Sequence, residues 1–225
     1  MNIFQKKLVL VFSVLFLFST QSIYAQKKLR SGAVIYEITD VSTSVPELKL
    51  MKGTKTVLYF TPEKQKVDVS LNNEAIKIQT YYNNKNDEVT MMYDFMGKHF
   101  QVNSNYKESK KIKPYVKNIS YQKSKTKTIA GYECYKAEIT FEDEKVVIWV
   151  TDKIKLNSPD FQRLFPGLEG FPLEYVRRGE NIKMTFKAKV INEIISNKIF
   201  DLPEGYEKIS DKDFKERMGG MTFGF

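Results

Sequence analysis

Between Lys127 and Ile154 the chain reads KTIAGYECYKAEITF, then a short Glu142–Glu144 link, then KVVIWVTDKI. Apolar and polar residues alternate with a two-residue period on both sides of the link, which predicts a β-hairpin. An even loop would set Glu142 opposite Lys145. Tyr135, Ala137, Ile139 and Phe141 then share a core face with Val146, Ile148 and Val150. The other face carries Cys134, Lys136, Glu138 and Thr140 with Lys145, Val147, Trp149 and Thr151, and sets Trp149 opposite Glu138. The indole of the only tryptophan needs a cover and a hydrogen-bond partner. Either a lid helix or loop covers Trp149, or Trp149 lines a ligand groove.

The same alternation recurs along the chain. Ala33–Thr39, Thr56–Phe60, Val67–Leu71, Ile76–Tyr82, Val89–Phe95 and His99–Asn103 read as strands separated by polar turns. A second hairpin runs from Leu173 to about Ile195 around Arg178-Gly179-Glu180-Asn181. In it Ile182, Met184, Phe186, Ala188 and Val190 share one face and lysines the other. One dry face and one wet face are what an antiparallel sheet permits. Parallel strands would need helical crossovers, and no long helical pattern separates these runs. Pro46–Lys52 reads as a short helix or turn.

Only two segments read as helix with any force. Asn157-Ser158-Pro159 predicts a cap with proline in the first turn. Phe161, Leu164, Phe165 and Leu168 then fall at i, i+3, i+4 and i+7, although Pro166-Gly167 must stop the helix early. Ser210–Met218 has a capping serine with Asp213, and ends at Gly219-Gly220.

Residues 1–25 have the layout of a secretory leader: Lys6 and Lys7, an apolar run over Leu8–Phe18, and a small-residue cleavage position at Ala25. The run is shorter than the ~20 residues that span a bilayer. The expected product is one exported, monomeric domain over residues 26–225, with no membrane span, at the periplasm or outer-membrane periphery. Cys134 is the only cysteine, so no internal disulfide is possible and Cys134 is expected as a buried free thiol.

Without Lys6 and Lys7 the chain has 34 basic and 27 acidic residues, a net +7. Lys107–Lys127 alone holds eight lysines and one acid, Glu108. The charge is therefore a patch, read as a solvated strand edge that resists pairing or as a surface for anionic partners. An exported chain seldom meets nucleic acid, so lipid headgroups or other acidic envelope surfaces are the partner class expected here. Lys107, Lys110, Lys111, Lys113 and Lys117 are the candidate contacts.

Enzyme chemistry is disfavoured. A single histidine, His99, rules out paired-histidine metal motifs, and no G-x-S-x-G, Walker or G-x-G-x-x-G motif is present. No cofactor or metal is expected. The chain ends Met221-Thr222-Phe223-Gly224-Phe225, expected to dock on the sheet or fray.

Thr128-Ile129-Ala130-Gly131-Tyr132-Glu133-Cys134, Ile148-Trp149-Val150-Thr151, Phe165-Pro166-Gly167-Leu168 and Gly170-Phe171-Pro172-Leu173-Glu174 resemble an uncharacterised family of exported bacterial proteins grouped with the lipoprotein-localisation-factor (LolA-like) fold. The chain is also similar to the GLPGLI family, although Leu168-Glu169 breaks that motif. The resemblance implies a mainly β fold: a strongly curved antiparallel sheet, a half-barrel, with two or three short helices in its concavity. It implies a carrier of a hydrophobic or lipid-like ligand, with Trp149, Phe161, Leu164, Phe165, Leu168 and Phe171 as candidate lining. The alternative is a non-catalytic envelope module docking through the basic segment 107–127.

Overall fold

A computed structural model describes residues 28–71, 75–105, 116–141, 144–179 and 181–217. The leader, the terminal Phe tail, and the candidate contacts Lys107, Lys110, Lys111 and Lys113 lie outside these residues.

The described strands are β1 (Gly32–Thr43), β2 (Lys55–Phe60), β3 (Lys64–Leu71), β4 (Ile76–Asn83), β5 (Glu88–Phe95), β6 (Lys98–Asn105), β7 (Val116–Ile129), β8 (Tyr132–Phe141), β9 (Glu144–Thr151), β10 (Phe171–Arg178), β11 (Ile182–Asn192) and β12 (Glu207–Ile209). Two short α-helices are α1 (Pro159–Leu164) and α2 (Asp211–Arg217), and 3₁₀ turns span Pro46–Met51 and Asn197–Phe200. All twelve strands form one sheet in the order β12-β6-β5-β4-β3-β2-β1-β11-β10-β9-β8-β7. The expected mainly β, curved sheet with few short helices is therefore the observed architecture. It differs in one respect: β12 lies parallel to β6, so the sheet is mixed.

Chain length alone requires the curvature. β6 and β7 are ten interstrand steps apart, about 48 Å across a flat sheet. The eleven steps from Asn105 to Val116 reach at most about 40 Å. The direction of curvature follows from α1. Ser158, at the start of its segment, shares a cavity with Ile78 and Thr80 of β4, while the Glu169 backbone N–H donates to Tyr121 Oη of β7 at 2.7 Å. Those strands would stand roughly 38 Å apart if flat. The segment therefore sits in the concavity.

The main core lies on this inner face. Tyr36, Ile38, Leu58, Phe60, Ile139, Ile148, Phe171, Leu173 and Phe186 are among its buried members. A smaller cluster joins Ile78, Tyr93, Phe100 and Val102 to Phe214 of α2. The outer face of β3–β5 is covered as well. Lys66, Gln79 and Met92 are buried there, with the 3₁₀ turn Asn197–Phe200 against β3 and the Tyr206 hydroxyl donating to Asp94 at 2.6 Å.

The predicted hairpin forms as β8–β9, but its register differs by two residues from the even-loop expectation. Lys145 pairs with Thr140 and Phe141 with Glu144, so the two-residue connection is 142–143, not 143–144. A shift of two leaves every side chain on its expected face, and Ala137, Ile139, Val146, Ile148 and Val150 are all buried. Trp149 now pairs with Lys136, not Glu138. In the second hairpin, a bulge pairs Tyr36 with Ala188 but Ile35 with Val190. It moves Val190 off the core face, and Val190 is 45% exposed. Before β8, Ala130 and Gly131 have φ of +49° and +84°, as a two-residue turn of the primed type requires.

Candidate functional site

Two short-range signals build α1. Ser158 has extended backbone at the N-cap and Pro159 opens the first turn. The Ser158 side chain makes no capping bond; it is buried instead. Pro166-Gly167 ends the helix after six residues, with the Phe165 N–H donating to the Phe161 carbonyl at 2.8 Å. So short a helix has little stability of its own. Its aromatic side chains hold it to the sheet.

Phe161 meets Phe171 and Tyr175 edge-on, at centroid distances of 5.4 and 5.2 Å. Phe165 meets Tyr175 at 5.9 Å. Tyr175 stacks on Phe186 at 5.1 Å and meets Tyr36 edge-on at 5.5 Å. The Tyr36 hydroxyl donates to the Pro172 carbonyl at 2.7 Å. Burial pushes the phenols of Tyr36 and Tyr175 well above the ordinary value. Just before this wall, Gly170 has φ +82°, and a Cβ there would stand 3.0 Å from Tyr135 Oη and 3.2 Å from Val150 Cβ. Only glycine fits that turn.

The helix does not fill the concavity. On its β2–β4 side a narrow cavity of about 40 Å³ is lined by Leu58, Val67, Val69, Ile78, Phe161 and Tyr175. Thr56, Thr80, Ser158, Asp160 and Arg177 supply its polar edge. Arg177 is buried, and its guanidinium stands 3.9 Å from Asp160. Asp160 also pairs with Arg163 of α1 at 2.9 Å. On the other flank a space of about 220 Å³ is lined by residues that include Leu156, Phe165, Leu168 and Phe171. Phe161 lines both.

The six residues expected to line a site therefore separate into three groups. Phe161, Phe165, Leu168 and Phe171 flank the two spaces around α1. Leu164 packs against the main core. Trp149 is on the outer face, where alternation between buried Ile148 and Val150 puts it. No lid covers it. The Lys127 ammonium lies 4.2 Å from its ring centroid and is itself held by Glu174 at 2.7 Å. Lys187 approaches the same carboxylate at 3.5 Å. Of the candidate anion contacts, Lys117 is described, exposed near the start of β7.

The cavity residues on β2, β3 and β4 and Arg177 on β10 were not singled out from sequence. Alternation shows that Val67 and Val69 share a face, but only the sheet order brings that face to α1. Cys134 is fully buried, its thiol pushed up to about 12 mainly by desolvation. His99 is half exposed and held by Asp94, Nδ1 to Oδ1 at 2.6 Å.

Residues 39–165 match the model of a family described as Domain of unknown function (DUF4412). No curated protein matches in sequence. Among solved structures, PNGF-II is similar in two crystal forms. At 16% identity it superposes with TM-scores of 0.49 and 0.50, over 83% and 84% of this chain. The chain spans about a third of PNGF-II, 32% of that chain. This likeness is one of fold. LprF from Mycobacterium bovis is matched at 13% identity and TM-score 0.32, over 80% of this chain and 92% of that one.

Proposed function

The chain belongs to the DUF4412 family, and on that footing we propose that it is a binding protein of the cell envelope that holds a hydrophobic or lipid-like ligand between α1 and the sheet. One observation carries this reading: an apolar cavity lies beneath α1 on the concave face, with buried Arg177 at its polar edge. The leader layout of residues 1–25 supports export. Among the described residues no helix is long and apolar enough to cross a membrane.

At about 40 Å³ the cavity admits a few waters, whereas ligand sites measure roughly 300–1,000 Å³. Loading an acyl chain therefore requires α1 to swing away. The helix suits this role. It is one and a half turns long, lacks a side-chain cap, and rests on ring contacts that a chain would replace in kind. Each methylene buried there contributes about 0.8 kcal/mol. Arg177, released from Asp160, would meet an anionic end group.

Native mass spectrometry of the purified protein, with uptake of a fluorescent fatty acid, tests the proposal. The expected result is a bound apolar molecule that Val69→Trp, which fills the cavity, displaces. A wild-type protein that carries nothing and takes up no probe would overturn it.

A further inference from the structure

Leu50 and Met96 are 84% and 79% exposed, and the register sets both at one end of the sheet. Leu50 belongs to the turn Pro46–Met51 between β1 and β2. Met96 belongs to the turn between β5 and β6, in left-handed backbone at φ +49°. The pairings Thr56↔Val69, Leu71↔Ile76 and Ile76↔Phe95 run from one turn to the other along a single rim. Between them is an open groove with Leu50, Met51, Val57 and Leu71 among its lining, and Lys55 and Lys77 on its walls. Its one acid, Asp68, is paired with Lys66 at 3.1 Å. Lys49, Lys52 and Lys98 flank the two apolar tips; among the described residues the acids beside them are Glu47 and Glu207, the latter held by Arg217 at 2.8 Å, and none of the three lysines makes an ion pair with another described residue.

The opposite rim differs in kind. Its exposed apolar residue, Ile194 at 92%, follows Glu193, which accepts the Tyr132 hydroxyl at 2.8 Å. Glu63, Asp87 and Glu88 occupy the neighbouring turns and strand ends together with Lys64 and Lys85, and Lys85 pairs with Glu63 at 3.0 Å, so charge of both signs is interspersed there.

We propose that the rim carrying Leu50 and Met96 docks on an anionic bilayer, the two apolar tips entering the headgroup layer while Lys49, Lys52 and Lys98 meet the phosphates. Apolar side chains projecting from turns, with cations at their base, match the interface between acyl chains and charged headgroups. The rim does not involve α1 or its cavity, so the proposal stands apart from ligand binding.

Flotation of the full-length protein with vesicles of phosphatidylglycerol or phosphatidylcholine tests it. Binding is expected to the first and not the second, and to be released by 0.5 M salt, an ionic strength of about 3–8 Å screening length. K49E/K52E is expected to weaken binding about tenfold or more, and L50D/M96D to abolish it, with thermal midpoints unchanged because these side chains are exposed. I194D should bind as wild type does. Absence of binding to either vesicle, equal binding to both, or equal loss in I194D would overturn the proposal.

Discussion

Tyr36 and Tyr175 place phenol groups in a core that desolvates them, so both are held neutral and their ionisation is raised. Tyr93 and Tyr132 are pushed up to about 12 for the same first reason, burial. A phenol whose folded pKa exceeds its unfolded value of about 10 contributes stability that is complete below pH 10. That contribution is lost as pH rises toward the folded value. The buried Cys134 thiol, also pushed up to about 12, begins the same loss above its unfolded value of about 8.5, so the thermal midpoint is expected to decline gently from about pH 8.5 and to fall steeply above pH 10. Absorbance of tyrosinate should appear for these residues together with loss of the fold. A protein that ionised them gradually, with its midpoint unchanged, would contradict their burial. None of this was legible from sequence. A tyrosine on an alternating strand reads the same whether its hydroxyl reaches water or, like that of Tyr36, the Pro172 carbonyl.

Elements were more legible than residues, and the reason is period. Strand β5 showed Val89, Met91, Tyr93 and Phe95 on one face, and Tyr93 indeed meets Phe100 and Phe214 there. Met92, on the opposite face of the strand, is fully buried as well. A later segment covers that face, which no local pattern announces. Helix α2 was legible through its cap: the Asp213 N–H donates to Ser210 Oγ at 3.0 Å. What the cap does not reveal is that α2 and β12 close the sheet together. β12 lies parallel along β6, Glu207 holds Arg217 at 2.8 Å, and Phe214 stacks on Tyr93 at 4.1 Å. Removing that ring by Phe214→Ala should cost about 3–5 kcal/mol in denaturant unfolding. Hydrogen exchange should rise first in β12 and β6, with β8 and β9 unaffected. Uniform loss of protection across the sheet would show that the small cluster is not a separate unit.

At the scale of the molecule, the curved β architecture followed from alternation and from a family resemblance, whereas the strand order did not. Trp149 shows the cost of that gap. Named with the α1 phenylalanines as candidate lining because an indole needs a cover, it lies on the other side of the sheet, beneath Lys127. Strand order also decides how the protein must assemble. The first strand pairs along its length with the eleventh, Ala33 with Asn192 and Thr43 with Ile182, so the middle of the sheet joins residues from the two ends of the chain. Closing so large a loop precedes the contacts that reward it, and refolding is expected in milliseconds to seconds, not microseconds. A chain ending at Arg178 should show no cooperative unfolding transition, and a sharp transition in that fragment would refute the dependence. On the ribosome, the core has to wait for β11. Until then the emerging polypeptide lacks the pairing that joins the two halves of its sheet.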